Sequence, residues 1–484
     1  MNSLPAWLIL VPLLLALLAA LGDKAGPRFR SALLTSGACA TALLTALTLT
    51  ALRQTGPLSV ALGGWTAPLG IGLRVDEFSA LFLALLSFGL LAAILFLCAA
   101  RPLLKGEAPL LLLLMAAGHG IVVAADLFNL FVFVELVSVC TAALLALKRR
   151  RDNVAAGFQY IVYASLSGMI FLISVLLIYG ATGQLSMAHI AEEIHGMPPR
   201  LYGAATAGLI VAFGVKIGLV PLHFWQARAY AAAGSAMAAL FSGVMLKVYL
   251  CALLRVLWHP LAIGRMPGET VAGTLLVLGA INVLVGHGMA LAQNNLKRLL
   301  AFSSVAHVGY ILMGVGAGSR VGMIGGLYHI VNHVFMKTGL FWAGRAFIRH
   351  AGSPDERRFA GAAAAAPLAF AVFFAAALTI VGVPPTGGFA SKWLIALAAH
   401  ERYGLWPILV IAVGTLTSLA YYGRIFRHAL AQPDPAQPQT RLPLRPLELG
   451  IPVLAAAACL AAGLGIRWLL PWLENAAAAL GFSF

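Results

Sequence analysis

Gly214-Val215-Lys216-Ile217-Gly218-Leu219-Val220-Pro221-Leu222-His223-Phe224-Trp225 puts a lysine, a glycine and a proline inside a long apolar stretch. A second interruption, Val381-Gly382-Val383-Pro384-Pro385-Thr386-Gly387-Gly388-Phe389, is followed by Lys392. Proline removes a helix hydrogen bond, so breaks at Pro221, Pro384 and Pro385 persist in lipid only where they line protein or water. Paired broken helices, each beside a buried ionisable group, are the sequence sign of transporter repeats. The second break falls five spans after the first, and a repeat with an odd number of helices places its two copies in opposite orientations. The expected fold is an all-α polytopic membrane protein of about 14 transmembrane helices, with two inverted five-helix repeats containing broken helices.

The rest of the chain agrees. Of 484 residues, 61% are hydrophobic and only 10% charged, whereas soluble proteins carry about 25% charged residues. Apolar windows of about 20 residues, cut by Gly, Pro and charges, predict spans near 4–22, 31–52, 77–100, 108–125, 127–147, 158–180, 203–224, 235–258, 270–292, 299–318, 321–344, 367–396, 404–423 and 447–470. The window from Pro367 is long enough to need a break or a tilt. No basic residue precedes Leu4–Leu21, which reads as a retained first helix rather than a signal peptide. One transmembrane domain is expected, with N-terminal helices in 1–107, a first repeat in 108–258, a second in 270–425 and a last helix at 447–470.

Charge sets the orientation. With the N-terminus outside, the inward loops hold 20 Lys and Arg residues, among them Lys148 to Arg151 and, late in the chain, Arg441 and Arg445. The outward side holds Arg53, Arg74, Arg200, Arg255, Arg265, Arg320, Arg402 and Arg467. This asymmetry predicts a multi-pass protein of the bacterial inner membrane with both termini outside the cytoplasm. The net charge of +16 is dispersed between apolar spans, which argues against nucleic acid as a partner. Five cysteines stand apart with no C-x-x-C spacing, so iron–sulfur, zinc and disulfide frameworks are not expected.

Five ionisable residues lie inside predicted spans: Glu135, Lys216, Lys247, Lys337 and Lys392. A charge at the bilayer centre costs at least about 2.5–3.5 kcal/mol, so these residues mark an ion or proton path. Glu135 beside Lys216 would form a switchable pair whose titration belongs to both partners; a purely structural ion pair is the alternative. Lys247 and Lys392 could instead snorkel to an interface. His329, His333 and Lys337 recur at i, i+4 and i+8 on one helix face, as a proton relay requires. His307, in Ser303-Ser304-Val305-Ala306-His307, suits the same relay, with packing as its alternative. Two histidines without H-E-x-x-H or a third ligand do not predict a metal. His223 reads as a gate or as a polar cap of the broken helix. Gly314-x-Gly316-x-Gly318 has no preceding strand and reads as close helix packing rather than a nucleotide loop.

Taken together, these motifs resemble the antiporter-like membrane subunits of respiratory complex I, Mrp-type cation/proton antiporters and membrane-bound hydrogenases, and most of all the D-type subunit of Mrp antiporters. The carriers are Gly63-Gly64-Trp65 with Asp76, Asp126 to Glu135, Val215-Lys216 to Trp225, Ser242 to Lys247, Leu296 to Ser304, His329 to Lys337, and Gly382 to Lys392. The resemblance implies a Glu135–Lys216 pair, a polar axis continued by Lys247 and the His329–Lys337 helix, and Lys392 at the far half-channel. It also implies work inside a multi-subunit assembly, protons and sodium as transported ions, and no redox cofactor held by this chain. Two residue patterns depart from the family: Gln226 to Ser235 lacks a proline, and Asn295 stands where an aspartate is usual. Because the sequence ends soon after its last predicted span, the long lateral helix of the largest complex I paralogue is not expected here. A complex I-type quinone-reducing assembly and a non-conducting structural subunit are the competing readings.

Overall fold

The computed structural model describes residues 3–67, 70–261, 268–432 and 446–482. Each of the fourteen predicted windows carries helix. Among the described residues, eleven helices are long and apolar enough to cross a membrane, and two shorter apolar helices, Glu107–Val123 and Pro367–Val381, accompany them. The helices fall into two compact units. The first comprises Met1–Ile217, Val244–Val271 and Glu474–Phe484; the second comprises Gly218–Gly243 and Ala272–Leu473.

The first unit contains α1 (Leu4–Leu21), α2 (Pro27–Thr55), α3 (Glu77–Ala100), α4 (Glu107–Val123), α5 (Leu127–Ala146), α6 (Arg151–Thr182), the short α7 (Met187–Glu193) and α8 (Pro199–Ile217). Between α2 and α3 runs an antiparallel hairpin of β1 (Leu58–Ala61) and β2 (Gly72–Val75), pairing Leu58 with Val75 and Ala61 with Gly72. Periodicity did not announce this hairpin, because each strand is only four residues long.

The second unit opens on α9 (Phe224–Ala232) and α10 (Ser235–Ala239). A π-helical turn, Leu240–Met245, leads from α10 into α11 (Leu246–Trp258), all of which belongs to the first unit. Further on lie α12 (Gly268–Leu291), α13 (Leu296–Gly316), α14 (Arg320–Ala351), the single turn α15 (Ala362–Ala365), α16 (Pro367–Val381), α17 (Gly387–Tyr403), α18 (Trp406–Leu430) and α19 (Pro446–Leu464). The spans of Ser235–Trp258 and Leu296–Gly316 are wholly buried, and those of α1, α2 and α18 mostly are not. The central helices can therefore carry polar residues that lipid-facing ones cannot. The window expected at 447–470 stops at Leu464, and a separate helix, α20 (Ile466–Ala478), follows.

Close approach explains the glycine run of α13. A Cβ on Gly316 would lie 2.4 Å from Leu276 N and 2.6 Å from Ala272 O, so helix packing demands glycine there. Asn295 caps α13, its Oδ1 accepting from Lys297 N (3.1 Å) and Arg298 N (3.2 Å). The proline-free segment after Trp225 forms α9, whose terminal carbonyls are held by Lys297 Nζ, at 3.0 Å for Ala233 O.

Several cations taken as loop charges are structural. Arg255 lies in α11, not in an outer loop, and only 8% of it is exposed. Its Nη1 and Nη2 donate to Asp76 Oδ2 and Oδ1, both at 2.6 Å, and Nη2 also donates to Ser79 Oγ at 2.8 Å. Asp76 in turn caps α3 by accepting from Ser79 N at 2.9 Å. Burial alone would raise the Asp76 carboxyl, but Arg255 overrides it and holds the group well below the usual carboxylate range. Arg345 and Arg349, expected in a loop, lie within α14 and both pair with Glu448. Arg265, Arg441 and Arg445 lie outside the described residues.

On the second unit, the loop Ser353 to Arg358 docks on Asn294–Leu296 through Glu356 N to Asn294 O and Leu296 N to Pro354 O, both 2.9 Å. Arg424 ties this corner together, donating to Leu291 O (2.9 Å) and Gln293 O (2.6 Å) and pairing with the buried Glu356. Burial raises the Glu356 carboxyl from about 4.5 to about 7 against the pull of Arg424.

Two outcomes follow from these ion pairs. Asp76→Asn leaves Arg255 buried without its counter-charge and should cost about 3–5 kcal/mol, while adding Arg255→Met should recover most of the loss. Thermal melting of the detergent-solubilised protein reads this, and an unchanged midpoint in the single variant refutes it. For Glu356 the folded state binds the proton more tightly than the unfolded one. Its contribution to loop docking is therefore complete below about pH 4.5 and lost as pH rises through about 7. Amide exchange at residues 354–358, corrected for intrinsic rates, should accelerate across that window, and Glu356→Gln should flatten the response.

Candidate functional site

In the first unit, α5, α6 and α8 bring Glu135 and Lys216 together. Lys216 is 3% exposed. An ammonium has three N–H donors, and Lys216 Nζ has three acceptors: Glu135 Oε1 at 3.3 Å, Ser138 Oγ at 2.7 Å and Ala164 O at 3.1 Å. Gly168 makes room for the carboxylate, since a Cβ there would lie 2.6 Å from Glu135 Oε1. The sequence places Glu135 in a fully apolar setting, yet 27% of its side chain is exposed. It lies at the edge of the first unit, reaching inward to the lysine. Lys247 stands at the start of α11, just after the π turn, and is 2% exposed. It does not snorkel. On the same helix, Tyr249 OH lies 3.4 Å from Tyr160 OH of α6.

The breaks differ from ordinary helix ends in how their backbone groups are satisfied. After α8 the chain turns through Gly218 (φ 78°) and a cis Val220–Pro221 peptide. Asn282 of α12 holds this segment within the second unit. Its Oδ1 accepts from Val220 N at 2.8 Å, and its Nδ2 donates to Gly218 O at 3.3 Å and Val305 O at 3.2 Å. The second break turns through Gly382 (φ 88°) and a cis Pro384–Pro385 peptide. Here Asn332 Nδ2 donates to Gly387 O at 3.1 Å. Lys392 Nζ donates to Ile380 O (3.1 Å) and Val381 O (2.9 Å), the last carbonyls of α16, and lies 4.6 Å above the Tyr310 ring. A cation at a helix C-terminus meets the negative end of its dipole. His223 sits at the start of α9 with no capping hydrogen bond from its side chain; it stacks on Phe224 and contacts Met289 Sδ at 3.3 Å.

The histidines form one cluster in the second unit. His307 Nδ1 lies 2.9 Å from His329 Nε2, and His329 Nδ1 lies 2.9 Å from Ser391 Oγ. The His333 ring centroid is 5.2 Å from that of His307. One turn beyond His333, Lys337 Nζ donates to Leu300 O at 2.9 Å, a carbonyl that also accepts from Ser304 Oγ. All four residues are fully buried. The Nε2 of His307 has no hydrogen-bond partner among the described residues.

Two further histidines, not singled out from the sequence, belong to polar chains. His287 of α12 has both nitrogens engaged: Nδ1 lies 3.1 Å from Tyr421 OH and Nε2 lies 3.0 Å from Tyr310 OH. Tyr310 thereby stands between His287 and Lys392. In the first unit His119 is fully buried, with Nε2 3.0 Å from Ser87 Oγ, which lies 2.7 Å from Thr45 Oγ1. A histidine inside an apolar span is itself the signal that would have found both. Chemically, these arrangements can hold and pass protons. No group of three metal-ligating residues with suitable geometry occurs among the described residues.

Comparison with known proteins identifies the family. Residues 124–418 match the transmembrane family described as NADH:quinone oxidoreductase/Mrp antiporter. The N subunit of the NADH-quinone oxidoreductase of Desulforudis audaxviator is 33% identical over 486 residues, covering 96% of this chain and 94% of that protein. The D-type subunit of the Na(+)/H(+) antiporter of Alkalihalophilus pseudofirmus is 31% identical over 373 residues, covering 75% of this chain and 74% of that protein. Among solved structures, a chain of the Mrp complex from Dietzia sp. superposes with a TM-score of 0.90 at 27% identity, covering 99% of this chain and 97% of that one. The match spans both broken helices, the Glu135–Lys216 pair and the histidine cluster, and the chain belongs to the NADH:quinone oxidoreductase/Mrp antiporter transmembrane family.

Proposed function

We propose that this chain is the proton-translocating, cation/proton antiporter-like membrane subunit of a multi-subunit complex. The observation that carries this reading is Lys216, buried in a membrane span and held by one partly exposed carboxylate, one hydroxyl and one carbonyl. Such a lysine is costly to bury, and its charge responds to movement of Glu135. In this reading Glu135, Lys216 and Lys247 load and release protons in the first unit. His307, His329, His333, Lys337 and Lys392 do so in the second. The breaks at Pro221 and at Pro384–Pro385 supply the irregular backbone that a hydrated path needs.

In this reading the two inverted repeats occupy 108–258 and 270–425, and the excess of loop cations on one side favours both termini outside the cytoplasm of a bacterial cell. Relatives named as Na(+)/H(+) antiporter subunits favour sodium as the exchanged cation. A second reading has its own support. The relative named as an NADH-quinone oxidoreductase subunit aligns over nearly the whole chain, which favours a redox-driven complex in which partner subunits supply the energy. Which subunits co-purify after mild extraction separates the two.

Replacing Lys216 with Ala in the assembled complex should reduce proton-coupled transport in proteoliposomes at least tenfold. Glu135→Gln should leave assembly intact and displace the pH profile of transport, because the lysine loses the carboxylate it pairs with. Full transport by a correctly assembled Lys216→Ala complex would show that the channel of this chain does not conduct.

A further inference from the structure

The first unit holds a cavity of 390 Å³ beside the Asp76–Arg255 pair, and the transport reading makes no use of it. Trp65, Leu73 and Met187 give it apolar walls, while Arg74, Arg255 and His259 bring it polar groups. The charges do not balance. Asp76 is held ionised and both its oxygens are taken by Arg255. Arg74 Nε lies 3.8 Å from Asp76 Oδ2, too far for a hydrogen bond. Two guanidinium groups thus share one carboxylate, leaving one positive charge in excess at the cavity.

Two polar atoms there are also orphaned. Arg74 Nε and His259 Nδ1 are buried with no hydrogen-bond partner among the described residues. The Arg74 Nε–H is a buried donor left unsatisfied, and so is His259 Nδ1 when that nitrogen carries the ring proton; a bound oxyanion would satisfy both. Burial, together with Arg255 and Arg74, lowers His259 to about 4, so the ring is neutral at pH 7 and adds no repulsion of its own.

Position identifies the source of the anion. The cavity lies where α4 and α11 end and α3 begins, which is one end of the membrane spans. Trp65, 66% exposed at its mouth, is the residue type enriched where lipid headgroups meet the hydrocarbon. A small soluble anion would leave the apolar walls unused, whereas a lipid phosphate carries its own apolar body. We propose that this cavity binds the phosphate of an anionic membrane phospholipid, with Arg74 and His259 toward the oxyanion and Trp65, Leu73 and Met187 against the glycerol and upper acyl chain.

The test uses the full chain in its native complex, purified in mild detergent and stripped of lipid by washing. Dihexanoyl phosphatidylglycerol, dihexanoyl phosphatidylcholine and inorganic phosphate are titrated in turn, with bound ligand counted by native mass spectrometry. The expected result is retention of the phosphatidylglycerol, at least tenfold weaker binding in Arg74→Gln, and partial recovery in Arg74→Lys. His259→Gln should weaken binding severalfold, which keeps the test informative if Arg74→Gln assembles poorly. Equal retention of phosphatidylcholine, unchanged phosphatidylglycerol affinity in both variants, or binding of inorganic phosphate alone would overturn the proposal. So would cross-linking of a photoreactive group at Trp65 to a neighbouring subunit rather than to lipid. Ion transport is not read in any arm, so failure here leaves the proposed function untouched.

Discussion

The cost of holding an ammonium group in hydrocarbon organises this molecule. Each buried lysine survives only where the fold supplies acceptors, and the two best-defined cases reach the same number of partners by different means. Lys216 has one carboxylate, one hydroxyl and one carbonyl. Lys392 has two carbonyls released by a helix break and one aromatic face. The first arrangement contains a formal negative charge and the second contains none. The same cationic group is thus held by Coulomb attraction in one unit and by dipoles and a π-system in the other.

The breaks and the lysines are one structural solution. A continuous α16 would have no free carbonyls at Ile380 and Val381, and Lys392 would have nothing to hold it. The unpaired backbone groups at each break fall within reach of an asparagine, Asn282 for the first and Asn332 for the second. In water these asparagines would be interchangeable with many polar residues. Inside a helix bundle they are the groups that let an irregular backbone exist at membrane depth.

Much of this was legible in the residues, for physical reasons that also explain the omissions. Apolar windows mark spans because lipid tolerates little else, so the helices appeared where expected. Glu135 and Lys216 could be paired because a buried charge demands a partner, although the partial exposure of the carboxylate depends on helix rotation, which the apolar context of α5 does not encode. Arg255 was misplaced because it lies near the end of an apolar run, where a loop cation and a buried one read alike; only the distant Asp76, 179 residues away, settles it. His119 and His287 carry the same signal as His307, a histidine inside an apolar span, and only their phenol and hydroxyl partners distinguish them. The hairpin and α20 escaped because four-residue strands and a helix following directly on a span leave no separate periodic signal.

The row Tyr421–His287–Tyr310 has both imidazole nitrogens committed to phenols, so the ring cannot turn without surrendering two bonds at once. A row of this kind can hand a proton along only by reversing the sense of every O–H and N–H in it. Once used, it points backwards, and a second passage in the same direction waits until the phenols swing round and the imidazole regains its first tautomer. Traffic through that branch would be paced by this double reset rather than by the supply of protons, giving this corner of the molecule a built-in refractory interval.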